Sequence, residues 1–153
     1  MKKQNQSGLL RGEHGSSLLE LALVMPLFLL LLFGAVDFGR AFYLAIEIAG
    51  AARSGAMYGT MNPTDTTGMA TAAQDDGTNV PDLSVAAPTY ACECPNGTSS
   101  GPTCPSDSSC PTGSPVYVVT VEVSGRYQPL IPWPGIPSSI LLSSSASMRS
   151  AGS

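Results

Sequence analysis

The chain has 153 residues, of which only 12% are charged, and its formal net charge at pH 7 is −4. It contains 16 glycines and 13 prolines, which is typical of one small, loop-rich domain with little ionic surface. The acidic balance and the lack of a basic patch argue against nucleic-acid binding. Because His14 is the only histidine, no histidine-based triad or metal site is expected. We expect neither an enzyme nor a cofactor.

A strongly apolar segment of 19 residues runs from Leu18 to Val36. As a helix it would span about 28 Å at ~1.5 Å per residue, which matches a bilayer core of ~30 Å. Lys2, Lys3 and Arg11 precede it. The positive-inside rule therefore predicts a single-pass inner-membrane protein with a cytoplasmic N-terminus and an exported C-terminus.

A secretory signal peptide is the alternative interpretation of this segment. It fits less well because the segment is long for a signal core, no clean A-x-A site follows, and Glu20 and Pro26 interrupt the apolar residues. Pro26 removes one helical hydrogen bond, which a membrane helix tolerates when neighbouring groups satisfy the freed carbonyl.

Glu20 is the only charged residue between His14 and Asp37. An ionised side chain inside a bilayer is costly, so such residues usually pair with another group and mark function. Gly15 lies five residues before Glu20, and this spacing is a candidate processing motif.

The helical pattern continues beyond the membrane-length segment. Small and aromatic residues recur there at alternating spacings of four and three, as in the seam of a packed helix. The seam consists of Phe38, Phe42, Ala45, Ala49, Ala52 and Ala56. Because most of these side chains are alanine, a partner backbone can approach closely. We predict one continuous helix from about Ser17 to Tyr58.

A second, short helix is predicted after a turn, capped by Asp65 or Thr66, continuing through Gln74 and ended by residues 75–77. One short strand, broken at Pro88, is predicted over residues 83–90.

Two longer strands follow. Residues 116–124 are rich in β-branched residues, and one apolar face is formed by Tyr117, Val119, Val121 and Val123. Residues 140–148 place Ile140, Leu142, Ala146 and Met148 on one side. The proline-rich crossover between them, which contains Trp133, is expected to cover a sheet edge, with partner binding as the alternative.

All four cysteines lie between residues 92 and 110, in a segment with too few apolar residues to build a core. Disulfides are the expected source of order there. A bond between Cys92 and Cys94 closes too short a loop, which leaves Cys92–Cys104 with Cys94–Cys110, or Cys92–Cys110 with Cys94–Cys104. A structural zinc is the alternative, but the spacing lacks the usual C-x2-C knuckles, and we expect no metal.

The stretch GSSLLELALVMPLFLLLLFGAVDFGRA, from Gly15 to Ala41, followed by AARSGA from Ala51 to Ala56, resembles the TadE-like family. Members are minor pilins or pseudopilins of the tight-adherence (Flp, type IV) pilus system. The resemblance covers Arg11 to about Tyr58, and residues 146–149 also resemble the ending of many members. One departure is Leu21, where the family commonly has an aromatic residue.

The resemblance implies that a prepilin peptidase cuts after Gly15, that Ser16 becomes the new N-terminus, and that Glu20 is the acid used in assembly, with Pro26 as a supporting feature. It implies a leader at residues 1–15, a transmembrane and assembly helix at 16–58, and an exported, β-rich domain at 59–153 with the cysteine loop at 92–110. The implied partners are the peptidase, other pilin subunits, the assembly platform and the inner membrane.

The expected fold class is α+β and pilin-like: a long N-terminal helix packed against a small antiparallel sheet with a disulfide-stapled loop. The expected function is that of a structural pilus subunit, which ends at the periplasmic face or in an extracellular pilus. The alternative is an uncleaved, single-pass envelope protein that binds another surface component. The two differ at the peptide bond between Gly15 and Ser16.

Overall fold

The computed structural model describes residues 14–101, 110, 113–132 and 134–150, with the backbone alone at 14–16 and 99–101. Cys104 and Trp133, both singled out in the sequence, lie outside the described residues. The chain divides into two compact units, Met1–Phe38 and Gly39–Ser153.

The first element is a single α-helix, α1, from His14 to Met61. The predicted continuous helix is confirmed, with three more residues at each end. Leucine and alanine, both strong helix formers, dominate its sequence. Pro26 lies inside the helix, where its ring leaves the carbonyl of Ala22 without the usual backbone donor.

The second helix, α2, spans Thr66–Asp76. Asp65 is its N-cap, and its carboxylate accepts a hydrogen bond of 2.9 Å from the backbone N–H of Gly68. At the other end the N–H of Gly77 bonds to the carbonyl of Ala73. The predicted cap and stop of this helix are confirmed, because an acceptor at the N-cap satisfies one of the free N–H groups of the first turn.

The remaining elements form one antiparallel sheet of five strands. The strands are β1 (Ser84–Val85), β2 (Thr89–Glu93), β3 (Ser99–Gly101), β4 (Val116–Tyr127) and β5 (Ile140–Arg149). The long strand β4 is central: β5 pairs along one edge, β2 and β1 pair in succession along the other, and β3 lies outside β2. A long helix packed on a small antiparallel sheet confirms the predicted α+β class.

The predicted break at Pro88 divides one edge of the sheet into two short strands. Ser84 lies opposite Ser124 and Thr89 lies opposite Thr120, so the register shifts by one residue between β1 and β2. Pro88 is buried and has no N–H to donate to β4. One extra residue in this strand therefore accommodates the proline without disrupting the pairing on either side.

The core of the Gly39–Ser153 unit is formed by the C-terminal part of α1, by α2 and by the inner face of the sheet. The inner face of β4 is completely buried at Val119, Val121 and Val123, whereas inward-facing residues of β5 are half-buried. The alternating faces predicted for both strands are confirmed. The buried cluster consists of Leu44, Ile48, Ala51, Ala52, Ala56, Met69, Ala73, Val80, Val119, Val121, Val123 and Tyr127.

Hydroxyl groups cover much of the outer face of the sheet. Two rows cross three strands each, and they consist of Thr89, Thr120 and Ser147, and of Ser84, Ser124 and Ser143. The hydroxyl of Thr120 donates to that of Ser147 over 3.1 Å. The pair Glu122 and Ser145 lies between the rows.

A disulfide joins Cys94, directly after β2, to Cys110, with 5.6 Å between the two Cα atoms. Cys92 is also disulfide-bonded. The Cys94–Cys110 bond belongs to the first of the two predicted pairings and excludes the second. Cys92 and Cys94 are both buried, and Cys92 faces inward on β2 opposite Tyr117.

Candidate functional site

The candidate functional site is α1, because it combines a membrane-length segment with part of the core. By length and composition, it is the one helix in the described part of the chain that is apolar enough to cross a membrane. Every side chain from Leu18 to Phe33 is exposed. An apolar surface of this extent is unfavourable in water, so lipid or another protein must cover it.

Glu20 is exposed within this apolar surface and has no hydrogen-bond or ion-pair partner among the described residues. Gly15 and Ser16 lie in the same helix, with Ser16 about 6 Å from Glu20 along the axis at ~1.5 Å per residue. Pro26 is exposed as well. The carboxylate of Glu20 is therefore free to interact with a second molecule.

The predicted packing seam divides between the interior and the surface. Ala52 and Ala56 are buried, and Ala45 and Ala49 are half-buried. In contrast, Phe38 is 74% exposed and Phe42 is 60% exposed. The seam as one contact surface stays a prediction, because a partner molecule would have to cover the two phenylalanines.

The face of α1 that packs on its own domain is centred on Leu44, Ile48 and Gly55. Glycines allow the closest approach there. A Cβ at Gly55 would lie 2.8 Å from the carbonyl oxygen of Met69 in α2, and a Cβ at Gly59 would lie 2.9 Å from Val119. The elements that approach this small-residue face closely are therefore α2 and β4 of the same chain.

The opposite face of α1 forms a continuous exposed surface, which we call the outward strip. Its spacings of four and seven residues keep it on one side of the helix. It consists of Phe42, Ile46, Arg53, Met57 and Met61. Four of these five side chains are large and apolar, although they lie outside the Leu18–Val36 segment, so the Gly39–Ser153 unit has an exposed apolar surface of its own.

Two charges lie at this surface, Arg53 within the outward strip and Glu47 beside it. Glu47 is half-buried and accepts a hydrogen bond from the hydroxyl of Tyr43. Arg53 is exposed and has neither a hydrogen bond nor an ion pair in the described residues. Two ion pairs of the described residues lie elsewhere, between Arg126 and Asp82 and between Arg149 and Glu93.

Several residues that position α1 were missed in the sequence. Leu44 and Ile48 anchor the helix in the core, and Gly55 and Gly59 set its distance from the sheet. The four-residue spacing of the two glycines is the signal that indicates a close helix contact. No group of three or more metal-ligating side chains occurs in the described ranges.

This protein belongs to the class organised around one long helix. The helix has a segment of membrane length, and its C-terminal part completes the core of a small antiparallel domain. Within this class, residues 15–57 match the family model described as TadE-like protein. The match confirms the resemblance seen in the sequence over most of α1, and it associates the chain with structural pilus proteins. No curated protein and no solved structure matches the chain.

Proposed function

We propose that this protein is a pilin-like structural subunit of a tight-adherence (type IV) pilus, cleaved after Gly15 by a prepilin peptidase and assembled through α1. Glu20 is the observation that carries the proposal. It is a carboxylate without a described partner, in an exposed apolar helix, five residues after a glycine and inside the region that matches the TadE-like family model.

Cleavage after Gly15 supplies the missing partner for Glu20. It creates a free amine at Ser16, which is a cation at neutral pH. An amine and a carboxylate within ~4–6 Å favour each other's ionised forms. Because an isolated charge is costly in the membrane, pairing between the amine of one subunit and Glu20 of its neighbour would fix the register of the two helices.

The outward strip of the Gly39–Ser153 unit is a second assembly surface. Phe42, Ile46 and Met57 are exposed on α1, while Leu44 and Ile48 on the opposite face are buried in the domain. One face of the helix therefore stabilises the domain and the other remains available to neighbouring subunits. Contacts between such strips would bury apolar surface that single subunits leave in water.

The proposed organisation is a cytoplasmic leader at residues 1–15, a membrane and assembly helix at 16–58 and an exported domain at 59–153. The partners are the peptidase, other pilin subunits, the inner membrane and the assembly platform. The disulfide between Cys94 and Cys110 supports export, because such bonds persist in oxidising compartments.

N-terminal sequencing and intact-mass measurement of the membrane protein, with and without the peptidase, test this function. With the peptidase present, the mature chain should begin at Ser16, and Gly15→Ala should block the cut. Gly12→Ala, which changes another glycine of the leader, is the matched control and should be processed normally. A chain that still begins at Met1 beside an active peptidase would instead identify an uncleaved membrane anchor.

A further inference from the structure

The part of α1 that contributes to the core carries two opposite charges with no ion pair among the described residues. Glu47 bonds only to the neutral hydroxyl of Tyr43, and Arg53 has no partner there. Neither side chain belongs to the buried cluster. The described residues of the single chain therefore provide no ion pair for either charge.

The two charges cannot reach each other within one helix. They are six residues apart, which corresponds to about 9 Å along the axis and about 120° around it, whereas side chains pair within a helix at three or four residues. Glu47 and Arg53 therefore lie on different flanks of the helix, Arg53 within the outward strip and Glu47 beside it. They can meet only between two molecules.

We propose that Glu47 of one copy forms an ion pair with Arg53 of a second copy. The second copy is displaced along the helix axis toward its own N-terminus, by about six residues, or ~9 Å. The proposal rests on the proposed function, because it requires two α1 helices side by side. The outward strip supplies the apolar contacts beside the pair, chiefly through Ile46 and Met57.

Charge complementarity favours a second copy of this chain as the occupant. An acidic partner would compensate Arg53 but repel Glu47, and a basic partner would do the reverse. A displaced second copy presents an arginine to Glu47, and its neighbour on the other side presents a glutamate to Arg53. Because the contact joins two different flanks, it is heterologous and continues from copy to copy instead of closing as a dimer.

Charge reversal in two differently tagged copies tests the pair. The peptidase is co-expressed, and co-purification of one tag with the other is measured in mild detergent. Glu47→Arg or Arg53→Glu, present in both copies, should each lower the yield by roughly threefold or more, because attraction becomes repulsion. Glu122→Arg, on the outer face of the sheet, is the charge-matched control and should leave the yield unchanged.

Two rescue combinations make the result specific. The double variant Glu47→Arg/Arg53→Glu should recover the wild-type yield, and a copy with Glu47→Arg should associate with a copy with Arg53→Glu although neither associates with itself. Recovery would also show that the variants fold. Wild-type yields in the single variants, or a double variant as weak as the singles, would overturn the pair. An uncut N-terminus in copies that still follow this pattern would refute processing and leave the pair standing.

Discussion

The hydroxyl of Tyr58, near the end of α1, donates a hydrogen bond of 2.8 Å to the carboxylate of Asp65, the residue that caps α2. The same carboxylate accepts the N–H of Gly68. A Cβ at Gly68 would collide with both Asp65 and Tyr58, so only glycine fits there. One exposed carboxylate thus fixes the turn between the two helices.

This cap should make part of the stability depend on pH. The N–H of Gly68 and, second, the hydroxyl of Tyr58 lower the pKa of Asp65 below its ordinary value of 3.8. The stabilisation is therefore complete above that value and is lost as the pH falls through the lower pKa of the folded state. Thermal unfolding should show a midpoint that decreases below about pH 4.

Asp65→Asn keeps an N-cap acceptor but removes the titration, so its midpoint should depend less on pH in the acidic range. Tyr58→Phe is the companion variant, which keeps the cap and removes only the second hydrogen bond. An unchanged acid dependence in Asp65→Asn would show that other carboxyl groups govern the transition.

The close contact of α1 with α2 and β4 predicts a stability cost for added methyl groups. Gly55→Ala and Gly59→Ala should each lower the free energy of unfolding by about 1–3 kcal/mol, because the new Cβ overpacks a tight contact. Gly39→Ala is the matched control, since nothing lies within 4 Å of its Cβ. It should be neutral or stabilise by ~0.5–1 kcal/mol through helix propensity. Chemical denaturation measures all three, and equal stabilities would contradict the observed packing.

Glu20→Ala should separate processing from assembly. The peptidase site at Gly15 is intact, so the variant should be cut, and its single helix should sit in the membrane at least as well because the desolvation cost of the charge is gone. It should nevertheless fail to enter pili or complexes with other subunits, which quantitative immunoblotting of purified pili measures. Glu20→Gln, which has the same shape without charge, should behave alike, and wild-type incorporation of either variant would exclude the pairing role.

Removal of the Cys94–Cys110 disulfide should loosen one loop and spare the sheet. Closing a loop of ~15 residues is worth roughly 3 kcal/mol in the chain-entropy model. Replacement of both cysteines by serine should raise hydrogen exchange in residues 92–110, while β4 remains protected by β5 and by the core. Hydrogen exchange that spreads through Val116–Tyr127 would instead assign the loop a central role in folding. This outcome is worth testing because Cys92 and Cys94 are buried.

The elements with a clear local signal were predicted from the sequence. The alternation of β4 and β5 and the cap and stop of α2 specify the type of each element and most of its bounds without tertiary information, although β4 runs to Tyr127, three residues past its predicted end. Strand β3, with three residues of serine and glycine, has no such signal and exists only through pairing with β2. Spacing alone left two disulfide pairings open because both close loops of acceptable length.

The orientation of α1 was harder to predict than its length. Apolar residues such as Phe42 and Ile48 occur on opposite sides of the helix, so periodicity does not distinguish the face that meets the sheet from the face that remains exposed. The spacing of alanines favoured a seam through Ala45 and Ala49, whereas the core is centred nearer Leu44 and Ile48. In the candidate site, the sequence motif was enough to predict Glu20. The lack of ion-pair partners for Glu47 and Arg53 among the described residues could be recognised only from the three-dimensional contacts.

The rows of hydroxyls on the outer face of the sheet influence how the Gly39–Ser153 unit responds to its surroundings. Most soluble surfaces stay wetted through carboxylates and ammonium groups, which acid neutralises and salt screens. Serine and threonine hydroxyls such as those of Thr120 and Ser147 neither titrate nor carry a net charge. These hydroxyl rows should therefore remain equally hydrophilic in acidic, fresh and saline water, an advantage for the exported subunit proposed above.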